Sequence, residues 1–187
     1  TYSGSLYVSE YELSTYMEET IDAFRSYANI KHINLTYESS FRYLNVWLDK
    51  DKMDSILKNI ISNALKYTPD GGNVHVFTSE TEDTWSIEVK DTGIGIPASE
   101  QKKLFKMHFR GSNAINSKVT GSGIGLLLVG KLVHLHKGKL NFSSMEGKGS
   151  CIKITFPKGN KHFRKAIQRP QPQNERIVYS ASGVPIN

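Results

Sequence analysis

One cysteine, Cys151, stands among 187 residues. An internal disulfide framework is therefore excluded, and a reducing compartment suits the chain. No apolar run approaches the ~20 residues that a membrane helix needs, and no signal-peptide pattern opens the sequence. Cysteine and histidine never fall at zinc spacing. The six histidines are scattered; His134 and His136 lie two apart on a helical stretch and cannot share an ion from one face. His75 falls on a strand between inward-facing valines and is expected in solvent. No Ser/His/Asp arrangement stands out. Two phosphate-binding fingerprints are missing as well: the G-x-x-x-x-G-K-[ST] loop and the strand-borne G-x-G-x-x-G.

What remains is an ordinary globular composition. Hydrophobic residues make up 38% and charged residues 22%, enough for a packed core in one domain with some length left over. The net charge is +6. Much of the excess lies between Lys137 and Arg169, where Lys137, Lys139, Lys148, Lys153, Lys158, Lys161, Arg164, Lys165 and Arg169 are opposed only by Glu146. No aromatic interleaving or recognition motif accompanies this charge, so nucleic acid is not expected as a partner. A solvated edge near a polyanion, or a docking face for an acidic partner, accounts for it. The chain opens on Thr1 and is expected to be a piece of a longer protein.

Periodicity orders the chain. Residues 1–9 read as a lead-in. Leu13, Met17, Phe24 and Ala28 share one face of a helix expected over about 10–28, with Ser9 as its cap. Alternation predicts strands near 32–37 and 43–48. Met53, Ile56, Leu57, Ile60, Ile61, Ala64 and Leu65 mark the clearest helix, stopped by Pro69 and Gly71-Gly72. Strands follow at 73–79 and 85–90. A short helix is expected at 99–106, a polar and plausibly mobile loop at 110–120, and a long helix at about 123–136. Strands at 139–144 and 150–156 close the body, joined by the Gly147-Lys-Gly149 turn. Beyond Pro157 the composition reads as linker or disordered tail, 157–187.

Four segments carry the chemistry. In Asn59-Ile-Ile-Ser-Asn63-Ala-Leu-Lys66-Tyr67, a helical period puts Asn59, Asn63 and Lys66 in one polar stripe, with Tyr67 between stripe and core. Mg²⁺ takes oxygen ligands and keeps waters, so one amide oxygen from Asn63 plus nucleotide phosphates is a sensible shell. Lys66 can meet phosphate as a point cation. In Asp91-Thr-Gly93-Ile-Gly95-Ile-Pro97, a carboxylate at the end of a buried strand needs a partner. The exocyclic amine of adenine is one, and the glycines let a flat base approach the backbone. An ordinary turn, with Asp91 bonding the next amides, reads equally well. In Leu104-Phe105-Lys-Met-His-Phe109-Arg110, the aromatics serve as core or as anchors of the loop base. In Gly121-Ser-Gly123-Ile-Gly125-Leu126, glycines at a helix start let amides converge on an anion.

The order and spacing of these segments resemble the catalytic, ATP-binding domain of sensor histidine kinases, within the group that includes gyrase B, MutL and related chaperones. The resemblance covers roughly residues 10–156. It implies an α+β fold of Bergerat type: a two-layer α/β sandwich with a mixed, mostly antiparallel sheet and three long helices on one face. It also implies ATP and Mg²⁺ as cofactors, Asn63 as the metal-binding asparagine, and Asn59, Lys66 and Tyr67 beside it. Asp91, Gly93 and Gly95 match the adenine box, Phe105 and Phe109 the phenylalanine box, and Gly121, Gly123, Gly125 and Leu126 the glycine box that meets the phosphates. Gly147 and Gly149 resemble the family's closing turn. Ser122 and Ile124 replace the common Thr and Leu.

The hydrolysing branches carry a glutamate four residues before the metal asparagine, as general base. Here that position is Asn59, so efficient hydrolysis is not expected. The resemblance implies transfer of the γ-phosphoryl group to a histidine on a helical dimerisation domain of the same protein, and onward to a response regulator or receiver domain. None of the six histidines has the context of that phosphoacceptor. No catalytic residue beyond nucleotide positioning is therefore expected in this chain, which is read as a cytoplasmic, monomeric part of a membrane-anchored, homodimeric sensor, without direct membrane contact. An anti-sigma-type serine kinase of the same fold and a non-catalytic interaction domain are the competing readings.

Overall fold

The computed structural model describes residues 5–104 and 125–163, and the short segments 167–168, 178–179 and 185–186. Strand β1, Tyr7–Glu12, leads into helix α1, Leu13–Ile30. Strands β2, Asn34–Ser39, and β3, Asn45–Leu48, precede helix α2, Lys50–Tyr67. Then come β4, Asn73–Glu80, β5, Thr84–Asp91, the short helix α3, Ala98–Gln101, and α4, Gly125–Leu135. Strands β6, Lys139–Met145, and β7, Gly149–Pro157, complete the main sheet. A 3-10 turn, Lys161–Phe163, and three two-residue strands follow: β8, Ile167–Gln168, β9, Val178–Tyr179, and β10, Pro185–Ile186.

The main sheet has the order β2-β4-β5-β7-β6, parallel only between β2 and β4. That parallel pair needs a crossover, which α2 supplies. Side chains alternate across the pleat, so Val74, Val76, Ile87, Val89, Ile152 and Ile154 are buried in the same core as Met17 and Ile21 of α1, Ile56, Leu57 and Ile61 of α2, and Val129 and Val133 of α4. This is the expected α+β sandwich. The opposite face carries polar partners instead: the His75 ring bonds Thr36 Oγ1 at 2.9 Å, and Ser79 pairs with Ser86 at 2.8 Å.

Folded structure extends past both expected limits of the ATP-binding body. The helix expected from residue 10 begins at Leu13, and Glu12, not Ser9, caps it, accepting from the Ser14 and Thr15 amides. Burial opposes charge on Glu12. The Thr15 amide and hydroxyl, with the Ser14 and Leu44 amides, outweigh it and hold the carboxyl at about 2. Residues 7–12 are a strand because they have a distant partner: β1 runs antiparallel to β3, Ser9 facing Leu48 and Glu12 facing Asn45. Helical periodicity cannot register a pairing some forty residues away. Beyond Pro157, Phe163 is 4% exposed and packs with Leu6 and Val8 of the N-terminal segment, against Trp47 and Leu135. Strand β8 adds in parallel to β1.

The short helix ends at Gln101, and Leu104 is buried. The polar loop expected at 110–120 lies outside the described residues. No helix among the described residues is long and apolar enough to cross a membrane.

Candidate nucleotide site

Helix α2 ends against two other segments, and its last carbonyls show how. The Ala64 carbonyl accepts from the Thr68 amide at 3.1 Å and the Thr68 hydroxyl at 2.6 Å. Those of Leu65, Lys66 and Thr68 accept from the Lys31 ammonium at 2.8, 3.3 and 2.8 Å. That of Tyr67 accepts from the Ile94 amide at 3.1 Å. Carbonyls at a helix C-terminus have no intrahelical donor, and a cation there also meets the negative end of the helix dipole. Here Lys31, at the end of α1, supplies both, while the amide of Ile94 ties α2 to the loop after β5.

That loop is Asp91 to Pro97, and it is fastened along its length. Asp91 Oδ1 accepts from the Gly93 amide at 2.8 Å and the Ser150 amide at 3.2 Å. The Ile96 amide donates to Ser144 Oγ at 2.8 Å. Gln101 Nε2 donates to the carbonyls of Ile96 and Ser144 at 3.1 and 2.7 Å, and the Gly147 amide donates to the Ile94 carbonyl at 2.8 Å. A Cβ on Gly93 would stand 2.6 Å from the Tyr67 carbonyl oxygen. Gly95 is left-handed, with φ 63°, and a Cβ there would meet the Met145 carbonyl oxygen at 2.0 Å. Only glycine passes through either place.

Asp91 keeps unused capacity. Both of its bonds fall on Oδ1; Oδ2 has no partner among the described residues. Burial pushes its pKa up, and the two amides pull it back only in part. A half-buried carboxylate with one free oxygen is an acceptor waiting for a donor. The ordinary-turn reading is met by Oδ1; Oδ2 is the oxygen that the ligand reading would use.

The third wall is the start of α4. Gly125 lies on Asn59: a Cβ there would come 2.5 Å from Asn59 Oδ1 and 3.9 Å from Asn63 Nδ2. Asn59 donates Nδ2 to the Ser55 carbonyl at 2.7 Å, which turns its oxygen toward Gly125. Asn63 is half-buried and makes no side-chain hydrogen bond among the described residues. The structure therefore brings together Asn59, Asn63, Lys66, Tyr67 and Gly125 on α2 and α4, with the Asp91 loop joined through the Tyr67 carbonyl. Lys66 Nζ sits 5.2 Å from the centre of the Tyr67 ring. Leu126 is half-buried and packs on the core. Phe105, Phe109, Gly121 and Gly123 lie outside the described residues.

Residues 48–160 match the model of the histidine kinase-, DNA gyrase B-, and HSP90-like ATPases. The chain belongs to this ATPase family. Within it, the sequence is 38% identical over 148 residues to the sensor histidine kinase WalK of Bacillus subtilis, covering 78% of this chain and 24% of that protein. It is 33% identical over 148 residues to the adaptive-response sensory kinase SasA of Thermosynechococcus vestitus, covering 78% and 38%. The chain thus spans only about a quarter to two fifths of these relatives. The catalytic domain of the histidine kinase ThkA shares the fold, with a TM-score of 0.72 at 23% identity over 82% of this chain and 97% of that one. This is a histidine kinase-type ATPase domain by sequence and by fold.

Sequence reasoning missed three supports of this domain's site: Lys31, Ser144 and Ser150. Lysine at a helix end and serine beside a turn are too common to stand out. Only the tertiary pairing gives them a role.

Proposed function

We propose that this chain is the ATP-binding catalytic domain of a two-component sensor histidine kinase, presenting the γ-phosphoryl group of Mg-ATP to a histidine on a helical dimerisation domain outside this sequence. The unit we assign to nucleotide binding is the body at 10–156, with β1 and the Lys161–Phe163 turn packed on its edge. One observation carries the reading: the amide of Asn63, which has no hydrogen-bond partner among the described residues, the Cβ-free start of α4 and the carboxylate of Asp91, bonded there through Oδ1 alone, are tied together through the last turns of α2.

The residues fit the ligands. Asp91 Oδ2 is the acceptor we assign to the amine of adenine, and Gly93 and Gly95 carry no side chain into the loop. Asn63 offers an amide oxygen, a hard donor suited to Mg²⁺. Gly125 begins a helix whose N-terminal amides favour phosphate, and Gly121 and Gly123 of the same glycine box extend that role. Phe105 and Leu126 are the remaining residues we assign to nucleotide binding. When bound, Mg²⁺ neutralises phosphate charge during transfer. The chain itself contributes position: Asn59 is a neutral amide held to Ser55, so no carboxylate stands there to deprotonate water. That favours transfer to a partner over hydrolysis.

The remaining parts of the proposal concern the whole protein. It is a homodimer through its missing helices, it hands phosphate to a response regulator or receiver domain, and this domain works in the cytoplasm of a membrane-anchored sensor. Calorimetry with ATP, with and without Mg²⁺, tests the reading. Binding that depends on Mg²⁺ in the wild type, and loses that dependence in Asn63→Asp, is expected. No adenine nucleotide binding by the folded chain would refute it, and acid-labile phosphate on the isolated chain after incubation with ATP would refute the need for a separate phosphoacceptor.

A further inference from the structure

His136 follows α4 directly and is 1% exposed. Its Nε2 receives the Asp49 backbone amide at 3.2 Å, and its Nδ1 lies 2.8 Å from the Leu132 carbonyl oxygen. An amide can only donate, so Nε2 must be the lone pair and Nδ1 the donor. The ring is edge-on to Phe156 and Phe163, centroids 5.9 and 6.3 Å away. No water-facing role remains for it.

Asp49 is the N-cap of α2. The far end of α4 is therefore fastened to the near end of α2. At its other end α4 touches α2 again, where Gly125 meets Asn59. The spacing agrees: ten residues separate Asp49 from Asn59 and eleven separate Gly125 from His136, so two antiparallel helices with equal rise meet at both ends of this span, with Val129, Leu132 and Val133 of α4 buried between in the core they share with α2. The Gly125–Asn59 contact is packing alone. The His136 bond adds a directional contact to the apolar packing of α4 on α2, at the cap of α2.

We propose that His136 is a positioning residue for the nucleotide site: in its neutral form it fixes α4 on α2 so that the first turn of α4 stands beside Asn59 and Asn63, and protonation of its ring releases that register and weakens nucleotide binding. This rests on the ATP-binding reading above. A proton on Nε2 would set N–H against N–H, so the bond exists only in the neutral ring. The titratable groups facing it among the described residues are Asp49, which favours the proton, and Lys52 and His162, which oppose it; from β7 it meets the ring of Phe156. Burial also disfavours the charged ring.

The test compares wild type, His136→Gln and His136→Phe in the full chain. Glutamine can accept from the Asp49 amide but does not titrate; phenylalanine keeps the ring and loses the acceptor. Affinity for Mg-ADP is measured by calorimetry from pH 5.5 to 8. The ratio of wild type to His136→Gln cancels the titration of the nucleotide itself. Loss of one such bond predicts about five- to ten-fold weaker binding by His136→Phe at pH 7.5. Because burial holds the pKa of the ring below the ordinary histidine value, the wild-type-to-Gln ratio should stay level near neutrality and begin to fall only at the acid end of this range. A flat ratio, with His136→Phe binding like wild type, overturns the proposal and leaves ATP binding standing. If wild type binds no nucleotide at any pH, the functional reading falls instead. The positioning claim is then decided by amide exchange at residues 125–129, which His136→Phe must speed and His136→Gln must not. Should either variant fail to fold, the nitrogen shifts of wild-type His136 decide: a proton on Nε2 at pH 7.5 contradicts the geometry.

Discussion

The two ends of α2 are built in opposite ways. At the Asp49 end the side-chain bonds among the described residues are closed on one another: the Asp49 carboxylate accepts from the Tyr7 amide at 2.8 Å, the Lys52 amide at 3.2 Å and the Lys52 ammonium at 2.9 Å, while its own amide is taken by His136. At the Asn63 end the backbone is closed but side chains are not. Lys31 and Ile94 satisfy the carbonyls, yet the amide of Asn63 and one oxygen of Asp91 have no partner among the described residues. A fastening and a binding site differ in this respect. The first uses up its donors and acceptors, and the second holds its backbone rigid while leaving side-chain capacity for a ligand.

The contrast can be broken from the fastened end first. Phe163 covers His136 and packs with Leu6 and Val8. Phe163→Ala is expected to cost about 3 kcal/mol, read as a lower midpoint in urea unfolding; an unchanged midpoint would mean that the Lys161–Phe163 turn does not belong to the fold. At the open end, Asp91→Asn should weaken Mg-ADP binding by roughly 10- to 100-fold, the worth of a hydrogen bond to a charged acceptor. Stability should move the other way. The pKa of Asp91 is raised by burial above its unfolded value, so the folded state keeps the proton longer, and this group's contribution to stability declines as pH rises through that interval. Asparagine removes the penalty, so thermal unfolding at pH 8 should occur at an equal or higher temperature. A drop in both affinity and melting temperature would mark Asp91 as structural only.

Lys31 separates backbone support from ligand contact. Lys31→Met keeps the stem and removes the donor to the carbonyls of Leu65, Lys66 and Thr68. A loss of about 2 kcal/mol in stability is expected, or roughly 4–8 °C in melting temperature for a domain of this size. If binding were lost at 20 °C while the melting temperature held, Lys31 would be acting on the nucleotide and not on the helix end.

Much of this was legible in the residues. The apolar period of α2 from Met53 to Leu65 appears in the structure residue for residue, because a long amphipathic pattern leaves one face to bury. The glycines of the Asp91 loop stand out in the sequence, but there they are read as making room for a flat base; the crowding against the Tyr67 and Met145 carbonyls that also requires them is visible only in the fold. What could not be read were pairings over distance. Strand β1 divides in the sequence reading between the lead-in, up to residue 9, and the start of a helix, because β3, which pairs with it, lies beyond two other elements. His136 looked like one of several idle histidines, since its acceptor role depends on an amide 87 positions away. Lys31 belongs in sequence to the end of α1, yet the carbonyls it caps are those of α2, 34 to 37 positions away. Sequence period reports which face is buried, and says little about what a polar side chain meets there.

The smallest expected effect tests the closed end directly. Burial raises the pKa of Asp49, but the Tyr7 amide and the Lys52 ammonium and amide outweigh it, and the net shift is downward. A carboxyl with a depressed pKa contributes stability above its unfolded value, ordinarily near 3.8, and loses it as pH falls through the folded value. Asparagine is itself a good N-cap, so Asp49→Asn keeps the bond to the Lys52 amide and gives up the charge on Lys52. The expected cost at pH 7 is about 1 kcal/mol. The gap between wild type and variant should close as the pH is lowered below 4, because the wild-type carboxyl then carries a proton as well. A gap that stayed constant down to pH 3 would mean that the shape of Asp49, and not its charge, holds the Tyr7 strand to α2.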